Sequence, residues 1–212
     1  EADTLYLGDS VAGQFLPFNK KDQLTSNGSI LPIGNYFLIK NAIERNENIK
    51  TIIYLSVPNV IGHPFSRERT HGYFVKPFFS FENKKEIMAS KNVSRVLNRN
   101  ILLPLCQFNF FKVLKINDFD YSDEMSKSSF SLSDTSIEWI IKIKALCEAN
   151  EVKFILASPP VPKSKKLKSS NWKLIKKQVS ETELEKLFNI YFKTVIYLDD
   201  EHLRDNVHWK NE

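Results

Sequence analysis

The chain has 212 residues, of which 42% are hydrophobic and 26% are charged, the balance of an ordinary globular protein. This length is enough for one domain with a sizeable core, and we expect a single domain over residues 1–212. No apolar run approaches the roughly 18 residues that a membrane span requires. The chain starts without Met, so we expect both termini to be trimmed and a membrane anchor to be possible outside the given sequence.

The formal net charge is +5, and much of the excess lies in one basic segment, residues 162–177, with the sequence PKSKKLKSSNWKLIKK. A solvated loop and helix face is the favoured interpretation. The alternative is contact with an anionic surface such as a polysaccharide, a membrane or a nucleic acid. Since no nucleic-acid motif accompanies the segment, we expect no nucleic-acid partner.

The two cysteines, Cys106 and Cys147, have neither a metal spacing nor the pattern of a disulfide framework. Two buried free thiols are expected, and one disulfide is the alternative in an oxidising compartment. The histidines are too scattered for a metal constellation. We therefore expect no metal and no cofactor.

Apolar runs alternate with helical patterns along the chain. Strands are predicted over residues 4–8, 50–57, 152–160 and 193–199. Helices are predicted from Val11, over 33–46 with a start near Pro32, over 135–150, and from 180 to about 190. Two capping boxes, Thr135-x-x-Glu138 and Ser180-x-x-Glu183, mark the predicted starts of the last two helices. Residues 59–83 are expected to form an irregular insertion.

Strands with near-continuous apolar cores, separated by helices, favour a parallel sheet covered on both faces. We therefore predict an α/β fold, a three-layer α/β/α sandwich with a mostly parallel sheet of four or five strands. A flavodoxin-like or nucleotide-binding protein would share this pattern. The stretch GDSVAGQF after the first strand, however, lacks the Gly-Lys-Ser/Thr ending of a phosphate-binding loop.

Polar residues follow the first and last predicted strands, where sites form in open α/β sheets. Ser10 follows the first strand, and Asp205-x-x-His208 follows the last. A serine hydroxyl becomes nucleophilic beside a histidine base that a carboxylate orients. Two alternatives stay open: Ser10 as a plain helix N-cap, and His208 as a surface residue.

These two motifs, Gly8-Asp9-Ser10 and Asp205-x-x-His208, resemble the terminal motifs of the SGNH (GDSL-like) hydrolase superfamily. The resemblance implies Ser10 as the nucleophile, His208 as the general base and Asp205 as its orienting partner.

The same resemblance implies oxyanion donors at Gly34 and Asn59. The usual Gly-x-Asn-Asp form is absent around Asn59, so Asn27 and Asn35 remain alternatives.

The order of the motifs is also similar to that of bacterial, membrane-anchored SGNH-like proteins that modify cell-envelope polysaccharides. This resemblance implies a serine esterase that removes O-acyl groups, foremost O-acetyl, from a carbohydrate through an acyl-enzyme. The alternatives are an O-acyltransferase that acetylates a cell-surface polysaccharide, and a non-catalytic glycan-binding or assembly protein. An extracytoplasmic or periplasmic location is favoured, with a cytoplasmic one as the alternative.

Overall fold

The computed structural model describes residues 3–15, 23–26, 31–58, 60–62, 74–107, 131–203 and 209–210. The strands are β1 (Thr4–Gly8), β2 (Gln23–Ser26), β3 (Thr51–Leu55), β4 (Lys153–Ala157), β5 (Val161–Pro162) and β6 (Tyr197–Leu198). The helices are α1 (Ser10–Gly13), α2 (Pro32–Arg45), α3 (Lys76–Phe78), α4 (Lys84–Ala89), α5 (Lys91–Arg99), α6 (Asp134–Ala149), α7 (Ser169–Val179) and α8 (Glu185–Thr194).

The main sheet has the strand order β2-β1-β3-β4, and all of its pairings are parallel. β5 and β6 form a separate two-stranded parallel pair. The predicted α/β class with a parallel sheet is confirmed. The chain leaves β1 toward β2 on one side and later returns to β3 on the other side. The gap between the carboxyl ends of β1 and β3 is therefore a topological switch point, where α/β proteins bind ligands.

The central strands form because their apolar residues pack on the helices. Leu5 and Leu7 of β1 and Ile52 and Tyr54 of β3 are buried, and the other residues of these strands, except Gly8, are only half-buried. This alternation is the period-2 pattern of a strand, and β-branched and aromatic side chains suit a pleated, half-buried surface.

An aromatic cluster joins α2 to α6. The Trp139 ring lies 5.1 Å from that of Tyr36 and 5.7 Å from that of Phe37, measured between centroids. α2 begins at Pro32, as predicted, because proline fits the first helical turn. Phe74 and Phe78 complete the cluster against Phe37. The end of the predicted irregular insertion at 59–83 is thus a short helical segment built into the core.

The two predicted capping boxes are wrong, because neither Thr135 nor Ser180 is the N-cap of a helix. Ser133, not Thr135, is the N-cap of α6, since its Oγ accepts the Ser136 N–H at 3.0 Å. Glu138 instead accepts a hydrogen bond from Ser90 Oγ at 2.8 Å. Ser180 is the C-cap of α7, and α8 starts only at Glu185.

The last predicted strand, 193–199, is shorter in the structure. α8 extends to Thr194, and only Tyr197–Leu198 pair as β6. Among the described helices, none combines the length and apolar character needed to cross a membrane.

A half-buried ionic contact ties α2 to α4. Glu86 accepts hydrogen bonds from the Tyr36 hydroxyl and from Lys40 Nζ, the latter at 2.9 Å. Burial by itself would raise the pKa of Glu86, but the hydrogen bonds from Lys40 and Tyr36 outweigh it and lower the pKa. The folded protein therefore holds this carboxylate in its charged form.

Glu86→Gln tests this contact. We expect a loss of about 0.5–1 kcal/mol in the free energy of unfolding at neutral pH, because both side chains of the ion pair are about one-third exposed and screened. The stabilisation is present above the ordinary glutamate pKa of 4.5 and is lost as the pH falls through the lowered folded value. Urea denaturation of both proteins measures the difference, and a difference that does not shrink in acid contradicts the assignment.

Candidate active site

The site lies at the switch point, where polar residues follow three parallel strands. Gly8 pairs with Leu55, and Leu55 pairs with Ala157, so β1, β3 and β4 end side by side. Ser10, Ser56 and Ser158 come within two residues of these ends. The parallel register therefore brings the Gly-Asp-Ser motif to one edge with the ends of β3 and β4.

Asp9 fixes the turn between β1 and α1. Its Oδ1 accepts the N–H groups of Val11 and Ala12, both at 3.0 Å, and its carbonyl accepts the Gly13 N–H at 2.8 Å. Asp9 therefore holds the turn through both its side chain and its backbone. Because Asp9 is the N-cap, the alternative that Ser10 serves as a plain N-cap is wrong: Ser10 is the first residue of α1.

Gly8 permits a very close approach of α1 to the strand ends. A Cβ at this position would lie 2.3 Å from the Ala12 Cβ and 2.5 Å from the Leu55 carbonyl oxygen. No other residue type fits this space without displacing α1 or β3. The glycine of the motif is therefore required by packing, independently of any chemistry at Ser10.

Two buried tyrosines lie close to Asp9 beneath the edge. The Tyr191 hydroxyl donates to the Ser56 carbonyl at 2.7 Å. The Tyr54 oxygen lies near Asn35 and Ser56 but makes no hydrogen bond of ordinary geometry within the described part of the chain. Burial, with a smaller contribution from the negative charge of Asp9, raises the pKa of both phenols, so both stay protonated.

These tyrosines were not predicted from the sequence. Tyr54 lies in an apolar strand and Tyr191 in a helix, and each has the pattern of an ordinary core aromatic residue. Tyr191 bonds to a carbonyl that is 135 residues away along the chain, and Asn35 beside Tyr54 belongs to α2, so no local pattern could have indicated these contacts.

Gly34 lies in the first turn of α2, and its N–H donates to the Leu31 carbonyl at 3.1 Å. The N–H predicted as an oxyanion donor is therefore already used within the helix. Asn35, one of the alternative donors, is fully buried, and its side-chain amide donates to the same carbonyl at 3.3 Å.

The C-terminal part of the chain is tied to α1 through Trp209. The Gln14 side chain accepts the Trp209 N–H at 2.9 Å and donates to the Trp209 carbonyl at 3.1 Å. Trp209 also forms an antiparallel bridge with Leu203. Its ring packs into an apolar group that we name the edge cluster: Val11, Val57, Val161 and Trp209.

The remaining predicted site residues, Asp205, His208 and Asn59, lie outside the described residues, as does the alternative Asn27. Their immediate neighbours Pro58, Val60 and Trp209 are described.

Cys147 is a buried free thiol, as expected, and burial raises its pKa to about 12. In the described ranges no three His, Cys, Asp or Glu side chains are grouped to hold a metal ion. Comparison of the chain with models of known protein families, with curated proteins and with solved structures gives no match.

Gly8→Ala tests the close approach of α1. We expect a loss of about 1–3 kcal/mol in the free energy of unfolding, the usual cost of forcing extra volume into a packed site. The double variant Gly8→Ala/Ala12→Gly removes the closest contact but keeps the clash with Leu55, so it should recover only part of the loss. Urea denaturation gives both values, and a single variant as stable as the parent would overturn the packing argument.

Proposed function

We propose that the chain is an SGNH-type serine esterase that removes O-acyl groups, foremost O-acetyl, from a carbohydrate. The observation that carries the proposal is the attachment of Trp209 to α1. Trp209 directly follows His208, and Val11 directly follows Ser10. Trp209 and Val11 pack together in the edge cluster.

The position of Trp209 bears on the proposed base because His208 directly precedes Trp209 in the sequence. Consecutive Cα atoms are about 3.8 Å apart, so the anchoring of Trp209 at α1 is compatible with the short distance between His208 and Ser10 that the proposal requires. Leu203, on the other side of Asp205, is bridged to Trp209. Both flanks of Asp205-x-x-His208 are thus held at the edge that carries Ser10, which supports a Ser-His-Asp arrangement.

In the proposed reaction the Ser10 hydroxyl attacks the ester carbonyl while His208 takes its proton, with Asp205 orienting the imidazole. His208 then gives this proton to the departing sugar oxygen, which leaves as a free hydroxyl group. Water, deprotonated by His208, releases the carboxylic acid from Ser10.

The oxyanion donors in this proposal are the Ser10 N–H, at the first position of α1, and the Asn59 side chain. A contribution from Gly34 requires its N–H to leave the Leu31 carbonyl. The mechanism therefore assigns Gly34 a smaller part than the family resemblance implies.

The three-layer sandwich is part of the same proposal. Two sets of contacts support it: α2 packs on α6, and α8 packs on β4 and reaches β3 through the bond from Tyr191 to Ser56. The parallel strand order, with its switch point at Ser10, fits this architecture.

Ser10→Ala tests the nucleophile. We expect hydrolysis of p-nitrophenyl acetate to fall by at least about a thousandfold, since the acyl-enzyme cannot form. Ser94→Ala, at a half-buried serine of α5, serves as the matched control and should keep full activity.

Three other outcomes are informative. Activity that survives Ser10→Ala would contradict the nucleophile. An ester found on an added acceptor glycan would identify an acyltransferase. An inactive parent protein would favour the non-catalytic alternative.

Gln14→Ala tests the attachment of the proposed base. We expect kcat/KM for p-nitrophenyl acetate to fall by about tenfold or more, because small displacements of a catalytic group are costly. Gln178→Ala is the matched control, since Gln178 makes the same pair of bonds to the Leu132 backbone, away from the edge. Equal activity in the two variants, at equal stability by urea denaturation, would show that Gln14 does not position the base.

A further inference from the structure

A groove lined by aromatic residues lies between α7, α8 and β6. Its volume is about 290 Å³, near the lower end of the range for small-ligand sites. We name it the aromatic groove, and its lining consists of Ser169, Trp172, Lys176, Phe192, Val195 and Tyr197. The three rings are half-buried, so each keeps an open part toward solvent while its remainder is held by packing.

Two of the three rings pack on each other, and lysines lie beside the rings. The Trp172 and Phe192 centroids are 4.6 Å apart at 80°, an edge-to-face pair. Lys176 Nζ lies 5.6 Å from the Phe192 centroid, and Lys166 Nζ lies 5.2 Å from that of Tyr197. The groove therefore offers apolar ring surface and positive charge together.

The basic segment that flanks the groove carries charge of one sign. The basic segment holds seven lysines and no acidic residue, and all seven are exposed. Lys163 pairs with Asp199 at 2.7 Å. The other six form no ion pair with any carboxylate in the described part of the chain. This surplus of unpaired cations is complementary to a polyanion.

The groove lies next to the edge cluster. Val195 and Tyr197 line the groove, and both also pack against this cluster, which contains Val11 and Trp209. The groove and the candidate active site are therefore neighbours in the fold, and a chain-like ligand is the class of molecule long enough to contact both.

We propose that the aromatic groove binds an acidic polysaccharide and presents it to the Ser10 edge. This inference rests on the proposed function, which supplies a carbohydrate substrate, and it adds that this carbohydrate is anionic. Sugar rings place their C–H faces on aromatic rings, and carboxylate or phosphate substituents pair with the lysines. A lipid surface fits less well because the rings are recessed. A nucleic acid fits less well because the edge-to-face pair offers no row of parallel rings for stacked bases.

Binding is tested with polygalacturonate at low salt, using the Ser10→Ala protein so that turnover does not interfere. Dextran is the uncharged control. We expect the double variant Lys166→Gln/Lys176→Gln to bind polygalacturonate about tenfold more weakly. Lys84→Gln/Lys85→Gln removes the same charge from exposed positions of α4 and should bind like the parent.

Phe192→Leu tests the ring surface, with an expected loss of about threefold in affinity because an aromatic face is removed while apolar volume is kept. Thermal unfolding of each variant checks that it is folded. If Phe192→Leu is unstable, Trp172→Leu provides the same readout.

Several results would overturn the inference. The first is that the α4 double variant weakens polygalacturonate binding as much as the groove double variant does. The second is that dextran binds as tightly as polygalacturonate. The third is tighter binding to vesicles rich in phosphatidylglycerol or to a thymidine oligonucleotide. Hydrolysis of p-nitrophenyl acetate by the Lys84→Gln/Lys85→Gln variant, built on the parent protein, should equal that of the parent. If the parent protein has no esterase activity but the groove binds polygalacturonate, only the proposed function is contradicted. If the parent protein is an esterase but the groove does not bind polygalacturonate, only this inference is contradicted.

Discussion

The contact of α1 with the ends of β1 and β3 is the constraint on which the candidate site depends. Only a glycine at position 8 allows Ala12 and the Leu55 carbonyl to approach so closely. The Asp9 carboxylate then caps the N-terminus of α1. The first of these effects is steric and the second electrostatic, yet they fix the same turn. Ser10 consequently stands at the switch point of the sheet for reasons of packing that hold whether or not it reacts.

The attachment of Trp209 to α1 closes a loop of 195 residues with few groups. One glutamine side chain supplies two hydrogen bonds, and the edge cluster supplies apolar burial. The entropy of closing a chain grows only slowly with its length, so a contact of this size can hold the two ends together once the sheet has formed. The edge cluster also includes residues after β3 and in β5, so the attachment depends on the main sheet and on the small one.

The sequence predicts those parts of the fold that local patterns determine. The apolar runs of β1, β3 and β4 and the proline at the start of α2 are examples, and they suffice for the α/β class. The prediction of a capping box at α6 is wrong because several hydroxyl residues lie near the start of this helix. The choice among them depends on Glu138, which accepts a hydrogen bond from Ser90, the N-cap of α5. Gly34 could be located from the sequence, but the bond of its N–H to Leu31 could not.

The basic segment was predicted as a solvated face, and its lysines are exposed. Solvation alone does not account for their arrangement. Lys173, Lys176 and Lys177 are three and four residues apart on α7, a spacing at which like charges repel and destabilise a helix. No acidic residue of the segment offsets this repulsion. A helix that only needed solubility could alternate its charges, whereas a polyanion bound beside Trp172 and Phe192 would relieve the repulsion and use it for affinity.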